Sequence, residues 1–508
     1  MASSSCKSAN ITVHYRTVAN FFHDDSFFYI KTAQNIHDGN GATFDGINPT
    51  NGYHLLWMWL LVLIAKISPF HGFIGIRLLL AVHALLIASA SLLADRLLTI
   101  FKIKVGWRLC MVAAIIGTTG FVDLGVESPI LFLASWAFIY ALVTLSNKSQ
   151  SSCWDTLIII VLSTSVCLAR TDAILLVLAL SMAIFYGVWD RTRAPALVVR
   201  SLLKTVFPAV ITLLTVGLYN LANYGHFETI SSFLKIHWPG TFATGWFGAS
   251  ILGIKVRLVG ILLIAVCVLI YLSTNAIKSN KMPKKDFYHN FELVLIGANA
   301  YVVMFMVVLL FFATGAIASW YFGLSLTIVI VSGIYVVASI LEKLRSRGFR
   351  LLDDRILSTI LSIVVILSIG LYVSKRFTSH YPESKLLLAK WVFQNIPNDQ
   401  PIFQVSGTGF VGYFSERQVI NGDGLINSWE YQDFLRKGKI EEYLKDKRVK
   451  YIISNQAPQE GRVPVDIPQW RKSSAFDFHL GSALLSKALY AVDDKYAVFR
   501  IGDFDFGK

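Results

Sequence analysis

FELVLIGANAYVVMFMVVLLFFA, residues Phe291–Ala313, contains a single charged side chain, Glu292, in a run long enough to cross a bilayer. A spanning helix needs about 20 apolar residues, with about 17 as the lower limit. Comparable runs fall at 73–94, 105–122, 129–146, 154–169, 172–189, 201–221, 251–273, 320–341 and 356–374. An eleventh, His54–Phe70, is aromatic at its front (Trp57, Trp59) and interrupted by Lys66, so it either crosses or lies in the interface. The composition agrees: 508 residues, 55% hydrophobic, 13% aromatic and 15% charged, with a mean hydropathy of +0.56. A soluble chain carries about 25% charged residues. Disorder, collagen and a disulfide scaffold are excluded on the same grounds. The fold class is a polytopic α-helical membrane protein of about 10–11 transmembrane helices.

The net charge of +14 points to topology rather than to nucleic acid, because the basic residues gather in short loops between apolar runs. One alternating set of loops carries eighteen Lys and Arg, among them Arg96, Arg108, Lys148, Arg191, Arg200, Lys204, Lys278, Lys285, Arg345 and Arg355. The other set carries Arg170 and Lys235. Cytoplasmic loops hold the excess of Lys and Arg. The loops bearing Glu127, Arg170, Lys235 and Ser319–Trp320 are therefore expected on the outer face, together with the tail after Val373. The five cysteines (Cys6, Cys110, Cys153, Cys167, Cys267) form no CxxC pair, so neither a disulfide framework nor a zinc knuckle is expected. Met1–Phe22 has no apolar core of a cleavable signal.

The tail regains charge and turn residues. Helices are expected near 383–395 and 430–446, and strands at Pro401–Ser406, Gln418–Asn421, Lys450–Ser454 and Tyr496–Ile501. This divides the chain into a first loop with a juxtamembrane helix (1–72), a helical membrane domain (73–374) and an extracytoplasmic α/β domain (375–508). Gly407-Thr408-Gly409-Phe410-Val411-Gly412 matches GxGxxG. A dinucleotide site also needs a helix opening directly after it, within a βαβ unit. Tyr413–Arg417 is too short for that helix, so the glycines are expected in tight turns.

The densest polar stretch is His23-Asp24-Asp25-Ser26, followed by Asp38–Gly41 and by Asp45–His54. Adjacent carboxylates beside a membrane domain are costly unless paired or used. Each pushes the other's pKa, which can leave one as a base. Alternatively, Asp24 caps a helix starting near Ser26 and Asp25 is a first-turn anion.

DDSFFYIKTAQNI (Asp24–Ile36) followed by GINPTNGYHLLWMWL (Gly46–Leu60) resembles the first extracytoplasmic loop of GT-C-type integral membrane glycosyltransferases, in a bacterial branch related to the mannosyl- and arabinofuranosyltransferase groups. Further matches follow in order: Gly125–Pro129, Leu168–Asp172 (with Thr171 in place of the usual proline), Trp320-Tyr321-Phe322, Trp391-Val392, Gly412–Phe414 and Val419–Asn427. The ordered set covers nearly the whole chain. One departure is the absence of an apparent spanning helix before Asp24, since Ile11–Phe22 is short and carries His14 and Arg16.

The resemblance implies a polyprenyl-phosphate sugar donor at the outer face of a bacterial inner membrane, and a glycan, lipid-linked or protein acceptor. Asp24 or Asp25 would be the general base on the acceptor hydroxyl in an inverting displacement. Glu127 would orient the acceptor or a metal. Asp24, Asp25 and Glu127 could together hold a hard divalent cation such as Mg, Mn or Ca. Arg170 would face the donor phosphate by its bidentate fork, or else pair with Asp172. Lys235 is a second candidate for the phosphate, while His54, Trp320 and Tyr321 could line the cavity. The resemblance also places run 54–70 in the interface. Two other classes stay open: a transporter or flippase for lipid-linked saccharides, and a non-catalytic glycan-binding scaffold. A transporter needs polar groups deep within several spans, and here these are few, such as Asn220 and Asn299. No internal repeat supports one either.

Overall fold

A computed structural model describes residues 22–70, 73–120, 124–146, 152–236, 249–279, 288–313, 319–349, 353–378, 383–467 and 478–507. The expectation for the segment before Phe22 lies outside the described residues. Two helices come first, α1 (Asp24–His37) and α2 (Leu55–Ile67). Ten long helices then coincide with the ten apolar runs. They are α3 (Phe73–Ile100), α4 (Val105–Gly120), α5 (Ser128–Ser146), α6 (Cys153–Ala169), α7 (Ile174–Thr192), α8 (Pro195–Tyr224), α10 (Ala249–Ser279), α11 (Tyr288–Phe312), α12 (Gly323–Ser346) and α13 (Asp354–Thr378); a short α9 (Ile230–Lys235) follows α8. Among the described residues, five of them qualify as spans by length and composition alone: Ile74–Ile100, Ser128–Leu145, Val198–Tyr224, Phe291–Phe312 and Gly323–Ser346. The others carry shorter apolar stretches.

The protein is a polytopic α-helical membrane protein with a C-terminal α/β domain. In the bundle, α11 packs on α7 and α10, α13 and α12 on α4, and α8 on both α6 and α7. Buried polar groups tie the helices together: Thr118 and Thr327 share a 2.5 Å hydroxyl hydrogen bond, and Asn299 Nδ2 donates to Ser332 Oγ at 2.8 Å. Such bonds hold helices where lipid provides no hydrophobic drive between them.

Run 54–70 does not cross. The helix α2 has 13 residues, about 20 Å at 1.5 Å per residue, against a hydrocarbon core of about 30 Å. It buries Trp57, Met58, Leu61, Val62, Ile64 and Ala65 and leaves Trp59, Leu63 and Ile67 exposed. An interfacial helix has this one-sided habit. The tail packs back on α1.

In the tail, α14 (Glu383–Asn395) precedes a five-stranded sheet ordered β2-β1-β3-β7-β6. Its strands are β1 (Ile402–Gln404), β2 (Val419–Asn421), β3 (Tyr451–Ser454), β6 (Tyr490–Val492) and β7 (Tyr496–Arg500). Strand β1 is parallel to β2 and β3, and β7 is antiparallel to β3 and β6. A second, antiparallel sheet joins β4 (Arg462–Ile467), β5 (Phe478–Leu484) and β8 (Asp505–Phe506). The expected helix at 430–446 is two helices, α16 (Trp429–Arg436) and α17 (Ile440–Asp446), broken at Gly438, where φ is +70°.

The tight-turn expectation for Gly407–Gly412 holds at Gly407 (φ +67°) and fails beyond it. Thr408–Phe414 is a helix, α15, packed on α1. A Cβ at Gly409 would lie 2.1 Å from the carbonyl oxygen of Asp24. That glycine is there so that two backbones can meet.

Candidate active site

Helix α1 begins with His23 as its N-cap, the ring Nδ1 accepting from the Asp25 N–H at 3.4 Å. This fixes which way each carboxylate of the first turn points, since successive helical residues are rotated by about 100°. Asp24 turns to the tail. Its Oδ2 accepts from the Gly409 N–H and its Oδ1 from the Phe410 N–H, both at 3.0 Å, and Lys385 Nζ stands 3.4 Å from Oδ1. Lys31, two turns on, donates from Nζ to the carbonyls of Gly412 and Arg417, both at 2.6 Å.

Asp25 turns the other way, into a cavity lined also by Tyr29, His54, Glu127, Lys235 and Tyr321, with Leu425 and Ile426 of the tail closing one side. Burial raises the Asp25 pKa, but the hydrogen bond and charge of His23, then Lys235 and Lys385, outweigh it and hold the carboxyl below the usual value. Asp25 is ionised at neutral pH and keeps 26% of its side chain exposed.

Glu127 reaches the cavity from the segment before α5. Gly125 makes that path possible, because a Cβ there would lie 2.5 Å from Ser26 Cβ. The Gly125 carbonyl accepts from Trp57 Nε1 and its N–H donates to His83 Nε2, both at 3.0 Å. The carboxylate of Glu127 is buried against Arg170: Nη1 donates to Oε1 at 2.8 Å, and the Tyr29 hydroxyl donates to Oε2 at 3.2 Å. His54, at the N-terminus of α2, lies 3.6 Å from Oε1. Burial lowers the His54 pKa, with Glu127 acting against it and Arg170 with it.

Of the two alternatives for Arg170, the structure contains the pair with Asp172. It is bidentate, Nε to Oδ1 at 3.1 Å and Nη2 to Oδ2 at 2.6 Å. The third arm goes to Glu127, so the guanidinium is enclosed by two carboxylates and stands behind the cavity wall. Its fork is taken, and it is not among the residues that line the cavity. Lys235, at the end of α9, does line it. Its Nζ donates to the Tyr321 hydroxyl at 3.4 Å. Arg170 and Lys235 both lie over the Tyr321 ring, at 4.3 and 5.5 Å from its centroid. Burial works against the Lys235 cation, but Tyr321 and Asp25 overcome it and raise its pKa. Trp320 falls in the short turn Ser319–Phe322; its side chain lies outside the described residues.

The three carboxylates proposed for a divalent cation are not brought together. Asp24 has both oxygens on backbone N–H groups of α15, and Glu127 is matched to a guanidinium. Among the described residues no cluster of three His, Cys, Asp or Glu side chains could hold a metal ion. The set does not fit the cation.

Two tail features escaped sequence reasoning. Leu425 and Ile426 line the cavity, and Asp423 is buried close behind them, its Oδ1 accepting from the Leu425 N–H at 3.0 Å. Burial pushes the Asp423 carboxyl up to about 7, and the charges of Asp25 and Asp24 add to the rise. All three lie in the Val419–Asn427 segment, the one signal that could have marked them. Tyr29, within Asp24–Ile36, is a further cavity residue.

Residues 377–499 match a family described as a domain of unknown function (DUF8728). No curated protein matches the sequence. Among solved structures, the chain is similar to the archaeal oligosaccharyltransferase AglB from Archaeoglobus fulgidus, in complex with an inhibitory peptide and a dolichol-phosphate. The TM-score is 0.54 at 10% identity, over 85% of this chain and 65% of that one. It also aligns with ArnT from Cupriavidus metallidurans bound to undecaprenyl phosphate, over 98% of both chains at 11% identity and a TM-score of 0.49. At these identities the likeness to AglB speaks for architecture: the chain has the fold of a GT-C-type integral membrane glycosyltransferase.

Proposed function

We propose that this protein transfers a sugar from a polyprenyl-phosphate carrier to a hydroxyl of a glycan, lipid-linked or protein acceptor, with Asp25 as general base. The observation that carries the reading is the convergence of Asp25, Glu127, His54, Lys235 and Tyr321 in one cavity of a GT-C fold. Asp25, ionised and partly open, takes the proton of the acceptor hydroxyl as that oxygen attacks the anomeric carbon. The bond from that carbon to the phosphate oxygen breaks, and the polyprenyl phosphate leaves with the electron pair. A single displacement inverts the anomeric centre. Lys235 meets the departing phosphate as a compact cation held by Tyr321. Arg170 acts through Glu127: it fixes that carboxylate, which with neutral His54 and Tyr29 orients the acceptor. AglB, whose structure carries a dolichol-phosphate, supports a polyprenyl carrier. The distribution of Lys and Arg supports an outer-face reaction in a plasma membrane.

The test is transfer by purified protein in liposomes offered a panel of polyprenyl-phosphate sugars, read as release of the free lipid phosphate. A positioned base contributes about 10²–10⁴-fold. Asp25→Asn is expected to lose that much while still binding undecaprenyl phosphate. Wild-type rates in Asp25→Asn would overturn the assignment. Movement of a lipid-linked saccharide across the bilayer without a new glycosidic bond would replace it with the transporter reading.

A further inference from the structure

At the far end of α8 from the cavity, a groove of about 600 Å³ opens along the helix surface beside α6. Its walls are apolar, with Ile160 of α6 and Val199, Leu203 and Phe207 of α8. Arg200 and Lys204, also from α8, line it beside these apolar residues. Positions four apart lie on one helix face, one above the other. The two cations thus form a short basic column beginning about 8 Å from Pro195, the first residue of α8. Pro208 lies four residues beyond Lys204 and has no N–H to offer the Lys204 carbonyl.

We propose that this groove is a binding site for one anionic phospholipid. Its phosphate rests on Arg200 and Lys204 and one acyl chain lies along Leu203, Phe207 and Ile160. Charge and geometry agree on the occupant. The cations line an apolar groove near the start of the candidate span Val198–Tyr224, where a headgroup would meet its chains. Basic pockets between helices on the positively charged face of a membrane protein hold such headgroups. A soluble anion would gain nothing from the apolar walls. A second copy of this chain would present basic loops of the same sign at this level. The lipid would brace α6 against α8. Arg170 follows the last residue of α6, and Lys235 follows α8 by a short connection, so the brace lies behind both cationic parts of the cavity.

Native mass spectrometry of the full-length protein in detergent, titrated with palmitoyl-oleoyl phosphatidylglycerol or phosphatidylcholine, tests the site. The wild type is expected to hold one phosphatidylglycerol in preference to phosphatidylcholine. Arg200→Gln/Lys204→Gln should weaken that binding roughly 30-fold, and Arg200→Gln alone about fivefold. The charge-conserving exchange Arg200→Lys/Lys204→Arg should retain it. Arg345→Gln/Arg347→Gln, which removes two cations away from the groove, should leave it unchanged. The proposal fails if phosphatidylcholine binds equally well, if both Gln variants keep the preference, or if the Arg345/Arg347 variant loses as much. The milder Arg200→Gln keeps the test decisive should the double variant fail to fold.

Discussion

The two faces of the first turn of α1 hold the same side chain in opposite states. On the tail side, Asp24 is satisfied by two backbone N–H groups and a lysine, and nearby Lys31 and the Tyr413 hydroxyl each bond a carbonyl of another segment. On the cavity side, the Asp25 carboxylate stands 3.6 Å from His23 Nδ1, with the charges of Lys235 and Lys385 at longer range. Its side chain is 26% exposed where that of Asp24 is 10%. A carboxylate with both oxygens held by N–H donors and a lysine stabilises an interface and is poorly placed for a reaction. A carboxylate kept ionised by distant charge remains able to take a proton. The two residues share chemistry and differ only by the rotation of one helical step.

Three experiments break or sharpen this contrast. The largest effect is expected behind the cavity. Arg170→Met leaves Glu127 and Asp172 buried without their cation, a loss of about 3–5 kcal/mol for a broken buried pair. Thermal unfolding in detergent checks it; a small change would mean that the wall stands without this charge and that Arg170 is free for a ligand role.

Next in size is the pH response of Asp423, which feels both Asp24 and Asp25. Its folded pKa of about 7 lies above the ordinary 3.8, so the folded state binds the extra proton between those values. Stability from this group is complete below pH 4 and is lost as pH rises through 7, by about 2–4 kcal/mol. Asp423→Asn should abolish that slope and be the more stable protein at pH 8. Parallel unfolding curves of wild type and variant from pH 4 to 8 would contradict the burial of this charge between the two faces. Asp25 acts in the opposite sense, since its lowered pKa contributes stability that disappears only as the pH falls below the usual carboxylate range.

The smallest effect separates the neighbours directly. Asp24→Asn exchanges charge-assisted bonds for neutral ones and should cost about 1.5–3 kcal/mol, read as a lower melting temperature. Proteolysis of the loosened tail should report the same change. Transfer by the intact fraction should persist, in contrast to Asp25→Asn. Full loss of turnover in Asp24→Asn at unchanged stability would reverse the two assignments.

The membrane half was legible because apolar runs near 18 residues have few other uses, and each of the ten became a helix. Strands β1, β2, β3 and β7 were legible from short apolar runs between turn residues. The second sheet was not: β4 carries Pro464 and β8 is two residues long, so local sequence could not separate them from loop. Helix α15 was hidden by its glycines, whose purpose lies in the approach of Asp24, far away in sequence. In the cavity, Asp25, Glu127, His54, Lys235 and Tyr321 were all named from the chain. Which of Asp24 and Asp25 enters it depends on the N-cap at His23, a matter of angle that residue type does not encode. The contribution of Leu425, Ile426 and Asp423 arises only when the tail folds back on the first loop.

The anchoring of Asp24 at Gly409 and Phe410 also bears on how the chain can be divided. Cut free, the tail would expose two N–H groups shaped to receive an anion, and the membrane half would lose the N–H groups and the lysine that hold Asp24. Exchanging the tail for that of a relative would succeed only if the first turn of α1 travelled with it, and that turn carries the reactive Asp25 along.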